Sequence, residues 1–177
     1  MNLQSNDFEL FGLTPGFNQE RTLIDTRWKD LQREVHPDKF AAQGVAAQRI
    51  SMQWSVRINE AYQRLKEPLR RAAYLCELNG MPVNAENNTA MPAEFLMQQM
   101  EWREALDEAT TIAELDALDR LVRSTRQQAL ELCAGFLDET QDYALAVGQV
   151  RALMFIDRFS RDIEARFDQM DPTDKGQ

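Results

Sequence analysis

The 177-residue sequence has one histidine, His36, and two cysteines, Cys76 and Cys133. One imidazole excludes a histidine-rich metal site. Two distant cysteines outside any C-x-x-C spacing argue against a cysteine-based metal site and a disulfide framework, so neither metal nor cofactor is expected. Long apolar runs are missing too: none approaches the roughly 20 residues that a spanning helix needs. The opening MNLQSNDFEL lacks the basic and apolar regions of a signal peptide. No membrane association is expected, and the cytoplasm is the expected compartment. With 7 Gly and 6 Pro, helix breakers are scarce. Basic residues are in the minority, with Lys+Arg 20 against Asp+Glu 29 and a net charge of −9. Such a chain repels phosphate backbones, which argues against a nucleic-acid partner.

What is present is globular composition, 44% hydrophobic and 28% charged. The acidity is uneven. Residues 1–80 carry 11 Lys+Arg and 10 Asp+Glu, whereas residues 81–177 carry 9 and 19. Between the halves lies GMPVNAENNTAMP, rich in Gly, Pro and Asn. The expected organisation is therefore a first domain over 1–80, a linker over 81–92 and a second domain over 93–177.

Helical spacing recurs throughout, and no period-2 stretch predicts a strand. A short first helix is capped by Asn6 or Asp7. A second begins near Asn18 or Gln19, with an apolar stripe of Ile24, Trp28, Leu31 and Val35, and Pro37 ends it. A third is predicted from about Ala42 to Lys66, with Ala47, Ile50, Trp54, Ile58, Ala61 and Leu65 as its stripe. A shorter one follows Pro68, with Leu69, Ala72, Leu75 and Leu78 among its apolar residues. The second half offers three more. One runs from Pro92 to about Ala109. The next follows the capping box Thr111-Ile112-Ala113-Glu114, with Leu115, Leu118, Val122, Ala129, Leu132 and Phe136. The last runs from about Gln141 to Met170. The fold class is all-α: an antiparallel helix pair with flanking short helices, then a three-helix bundle.

The most informative stretch is Val35-His36-Pro37-Asp38-Lys39-Phe40. Pro37 forces a turn that holds an imidazole and a carboxylate side by side outside the helix. Neither belongs to an apolar stripe, so both are expected at the surface. On the preceding helix, Lys29 and Arg33 lie four apart on a face away from Ile24 and Leu31. Taken alone, these charges read as a solvated face and the turn as a polar loop. Trp28 and Trp54 read as packing residues, and both cysteines as small buried groups.

The context changes that balance. The long helix ends in Ile58-Asn59-Glu60-Ala61-Tyr62-Gln63-Arg64-Leu65, followed by Pro68 and Arg71-Ala72-Ala73-Tyr74. Over about residues 6–78 this resembles a J-domain, the module that activates DnaK-type ATPase chaperones. The continuation Leu75-Cys76-Glu77-Leu78-Asn79-Gly80 and the later Phe95-Leu96-Met97-Gln98-Gln99-Met100-Glu101-Trp102-Arg103-Glu104 are similar to the HscB family of iron–sulfur cluster co-chaperones. The resemblance implies that His36, Pro37, Asp38, Lys39, Lys29 and Arg33 dock on a DnaK-type, HscA-like chaperone and speed its ATP hydrolysis. The chemistry then belongs to the partner, and the chain itself is not expected to be an enzyme.

In the second half, each helical residue turns about 100°. With Trp102 as reference, Phe95, Ala105, Leu106 and Ala109 fall within roughly 60° and form the expected inward face. Leu96, Met97, Met100, Glu101, Glu104 and Glu108 fall across the helix. The same projection on the last helix separates Phe155 and Phe159 from Leu153 and Ile156. Such a second stripe is either a binding surface or a face packed on the first domain or a neighbouring helix, and the spacing alone does not choose. The family resemblance implies binding: an IscU-type iron–sulfur scaffold held by Leu96, Met97, Met100, Glu101, Glu104, Glu108 and Phe155. The alternatives are a J-domain co-chaperone with a different client, an enzyme using His36 and Asp38, and a purely structural bundle. No nucleophile motif or phosphate loop supports the enzyme.

Overall fold

Asn6 opens α1 (Asp7–Phe11) with a capping box: its side chain accepts the Glu9 N–H at 2.9 Å, and the Glu9 carboxylate accepts the Asn6 N–H at 3.2 Å. Gly12, at φ 62, ends the helix. In the computed structural model, residues 4–83 and 93–170 are described. The chain divides into two compact units, Met1–Asn79 and Gly80–Gln177. The described residues contain helices and no strand. Residues 84–92, most of the expected linker together with Pro92, lie outside the described residues.

The first unit continues with α2 (Arg21–Glu34), a 3-10 segment (Pro37–Gln43), α3 (Val45–Lys66) and α4 (Pro68–Leu78). The Trp28 indole N–H donates to Asn59 Oδ1 at 2.9 Å, and the Ser55 hydroxyl donates to Gln32 Oε1 at 2.9 Å. Residues ascending α2 thus meet residues descending α3, so the pair is antiparallel. Trp28 also stacks on Tyr62 with ring centroids 4.9 Å apart. Phe8, Phe11, Ile24, Ile58, Ala61 and Leu65 form the dry centre.

Four details correct the sequence reading. Helix α2 starts at Arg21, with Glu20 at the capping position. Helix α3 starts at Val45 instead of near Ala42, because Pro37–Gln43 winds as tighter 3-10 turns and Gly44, at φ 93, interrupts the path. Ile50, read as core, is 55% exposed. The pairing that sets Gln32 opposite Ser55 makes the start of α3 overrun the end of α2, which leaves Ile50 uncovered. Leu78, in the last turn of α4, is likewise exposed.

The second unit holds α5 (Ala93–Glu108), α6 (Ile112–Ala134), a π-helical turn (Gly135–Glu139) and α7 (Tyr143–Met170). The capping box at Thr111 and Glu114 is present as the sequence predicts. Phe95 meets Phe155 edge-on at 5.7 Å, and Trp102 stacks on Phe159 at 5.5 Å. Both numbers rise together, so α5 and α7 run parallel. Helix α6 returns between them in sequence and is tied to α7 by Arg126 and Asp157 at 2.6 Å. Helix α7 begins at Tyr143, not Gln141, because Gln141 sits at φ 53. Leu132 and Ala105, placed on inward faces from sequence, are exposed. Phe159, which the spacing leaves as either surface or packing residue, packs: it is 1% exposed because α7 packs against α5 as well as α6.

Candidate functional site

The corner between α2 and α3 is built by three local bonds. Val35 is buried and its carbonyl accepts the Ser51 hydroxyl from α3, which anchors the end of α2. The Lys39 N–H donates to the His36 carbonyl at 3.0 Å. The Asp38 N–H points at His36 Nδ1 at 3.3 Å. With Nδ1 accepting, the neutral imidazole carries its proton on Nε2, which leaves that N–H as the outward donor. The Asp38 carboxylate lies 3.6 Å from Nδ1, beyond hydrogen-bond reach. The His36 and Asp38 side chains are 58% and 91% exposed. Pro37 is half-buried at the first 3-10 position, where its missing N–H costs nothing. The expected surface placement of His36 and Asp38 is what the structure has, and Lys39 is exposed beside them.

Lys29 and Arg33 are exposed on α2. Arg33 contacts Asp30 at 3.4 Å, both side chains in water, so that pair is weak and exchangeable. Asp25 is held in another arrangement. The Arg21 guanidinium at 2.8 Å and then the Tyr62 hydroxyl at 2.9 Å hold its carboxyl below the usual range. Asp25 and Asp30, the acidic residues among these basic ones, are thus each paired at short range. Gln32 and Asn59 form a polar ladder with Trp28 and Ser55 on the same helix pair. Sequence reasoning missed this ladder, although Trp28/Asn59 and Gln32/Ser55 are the facing positions of an antiparallel pair.

On α5, Trp102 is 2% exposed, while Leu96, Met97 and Met100 are 44%, 64% and 73% exposed. Glu101, Glu104 and Glu108 are exposed along the same side. Six of the seven residues implied for partner binding therefore share one open helix face. Phe155 differs. It is half-buried, stacked on Phe159 at 6.0 Å, edged by Phe95 and covered by the Arg103 guanidinium at 5.8 Å. Cys76 and Cys133 are both buried, and burial pushes the Cys76 thiol up to about 11. Among the described residues, no cluster of His, Cys, Asp and Glu has the arrangement to hold a metal ion, and no helix is long and apolar enough to cross a membrane.

Known proteins match this arrangement over nearly its whole length. A co-chaperone protein HscB homolog of Burkholderia cenocepacia is 43% identical over 97% of this chain and 99% of its own, and one of Cupriavidus taiwanensis is 45% identical over 96% and 97%. The chain belongs to the HscB family of co-chaperones. Residues 91–164 match the family model described as the HSCB C-terminal oligomerisation domain, which spans α5, α6 and most of α7. The solved chaperone HscB from Vibrio cholerae superposes with a TM-score of 0.80 at 35% identity, covering 94% of this chain and 99% of that one. Human co-chaperone HscB, at 24% identity, shares the fold with a TM-score of 0.87 over 94% of this chain and 84% of its own. HscB-type co-chaperone function follows from this membership.

Proposed function

We propose that this HscB-type protein stimulates the ATPase of a DnaK-type, HscA-like chaperone and brings it an IscU-type scaffold protein during iron–sulfur cluster assembly in the cytoplasm. The observation that carries the reading is the exposed His36-Pro37-Asp38 corner in a chain of this family. The corner presents the His36 Nε2–H and the Asp38 carboxylate side by side as a donor and an acceptor. Lys39 continues the basic strip of Lys29 and Arg33 past the turn. Exposed charges of this kind steer encounters and release readily. They accelerate hydrolysis only by binding one chaperone conformation better than the other. The scaffold binds the open face of α5 through Leu96, Met97 and Met100, ringed by Glu101, Glu104 and Glu108, with the free edge of Phe155 beside it. Burying each of the larger apolar groups contributes about 1.5–3 kcal/mol before association costs.

The test is the steady-state ATPase rate of the cognate HscA-like chaperone. His36→Gln removes the imidazole from an exposed position, so helicity and melting temperature stay unchanged while stimulation is lost. Retained stimulation overturns the role of the corner. Pull-down with the wild-type chain then separates clients: recovery of a different client in place of the scaffold favours a J-protein with another cargo.

A further inference from the structure

Helices α5 and α6 do not close on one another along their length. Leu121, Thr125, Gln128 and Leu132 recur on α6 at helical spacing and turn toward α5. Leu121 and Leu132 stay 51% and 48% exposed. Facing Gln128 and Leu132 is an open groove of about 630 Å³ with Met97 and Glu101 of α5 on its other wall and Gly148 and Ala152 of α7 in it. Toward the start of α6, a second stretch of about 470 Å³ lies between Ala105 and Glu108 of α5 and Ala117 and Leu121 of α6.

Three observations say what fits there. First, Glu94, Glu101, Glu108 and Glu114 line the two stretches, and among the described residues no lysine or arginine does. The groove therefore complements a cationic occupant. Second, Met97, Glu101 and Glu108 belong both to this groove and to the α5 face already assigned to the scaffold, so the two surfaces are continuous. Third, Gly148 sits within the 28-residue helix α7, where glycine is less stabilising than alanine. Its φ is not in the left-handed range, and a Cβ there meets no described atom within 4 Å. Nothing described in this unit requires a glycine at that place. Close approach of a partner's backbone would account for it.

We infer that the α5–α6 groove seats an apolar segment of the scaffold that carries Lys or Arg at its flanks. The scaffold then grips two sides of α5 instead of one, and Gln128, Leu132 and Gly148 join its contact surface. This rests on the scaffold reading above.

The experiment compares adjacent exposed glutamines on α6. Gln127 and Gln128 accept the same substitution to Lys, with the same change in net charge, but only Gln128 lines the groove. Binding of the IscU-type scaffold of the same organism is measured by titration calorimetry. Gln128→Lys weakens binding by about ten-fold, while Gln127→Lys stays near wild type. Gly148→Leu raises the melting temperature and weakens binding, two opposite signs that a merely destabilised fold does not produce. Equal effects of the two lysines, or none from either with wild type binding normally, overturn the groove and leave the α5 face standing. Absence of binding by the wild-type chain overturns the scaffold reading itself. A wild-type dimer in sedimentation that Gln128→Lys converts to monomer assigns the groove to a second copy and overturns the inference.

Discussion

Asp7 shows how much a single side chain decides. It was a capping candidate on sequence grounds, but Asn6 takes the cap and Asp7 turns inward, fully buried. Arg57 reaches it at 2.7 Å, the Arg64 Nε at 2.6 Å, and its own N–H donates to the Tyr74 hydroxyl at 3.0 Å. The carboxylate thus locks α1 to α3, and the Asp7 N–H ties it to α4. Removing one member of such a buried arrangement leaves uncompensated charge, at a cost of about 3–5 kcal/mol. Asp7→Ala is therefore expected to lower the unfolding free energy by at least about 3 kcal/mol in urea titration, and a change under about 1 kcal/mol contradicts the role. The sequence could not show this partnership, because Asp7 lies on α1 and both arginines on α3, some 50 residues away, and the burial of Asp7 is a property of packing. The His36 corner was legible for the opposite reason. Proline fixes its geometry locally, and His36 belongs to no apolar stripe that would carry the imidazole inward.

Among the elements, α6 begins with the strongest local signal in the second unit. The Glu114 carboxylate accepts the Thr110 and Thr111 N–H groups at 2.9 and 3.0 Å, and its own N–H is capped by the Thr111 hydroxyl at 3.3 Å. The backbone bond from Thr110, followed by those from Thr111, holds the Glu114 carboxyl below the usual glutamate range. The folded state therefore binds this proton less readily than the unfolded one. The resulting stabilisation is fully present above the unfolded value, about 4.3, and fades as the pH falls through the lower folded value. Thermal melts of wild type and Glu114→Gln are expected to differ at neutral pH and to converge on acidification. A difference that persists or grows in acid contradicts the assignment. Thr111→Ala costs about 1 kcal/mol by the same measure. The start of α3 was not legible in this way. The apolar pattern continues back into Pro37–Gln43, and only the φ of Gly44 and the overrun past α2 separate the 3-10 turns from the helix. Helix α7 was ambiguous for a related reason: its spacing leaves the second stripe either open or packed, and only packing against two other helices buries Phe159 along with Ile156.

At the scale of the molecule, two helical units carry surfaces of different character. The first unit exposes a proline-fixed donor–acceptor pair beside basic side chains, and the second exposes soft apolar groups among carboxylates. The charge asymmetry between residues 1–80 and 81–177 was already visible in composition. The open side of α5 was visible in its spacing, and the groove beside α6 was not, because Leu132 reads as core until α5 is seen to leave it uncovered. The measurement that bears most directly on this division is the ATPase rate of the HscA-like chaperone driven by Leu96→Ala with Met97→Ala, recorded with and without scaffold. The account predicts wild-type stimulation in the absence of scaffold, with helicity intact, and loss of the additional stimulation that scaffold brings. Loss of both together, with helicity intact, would show that the α5 face serves the chaperone contact and would contradict the account.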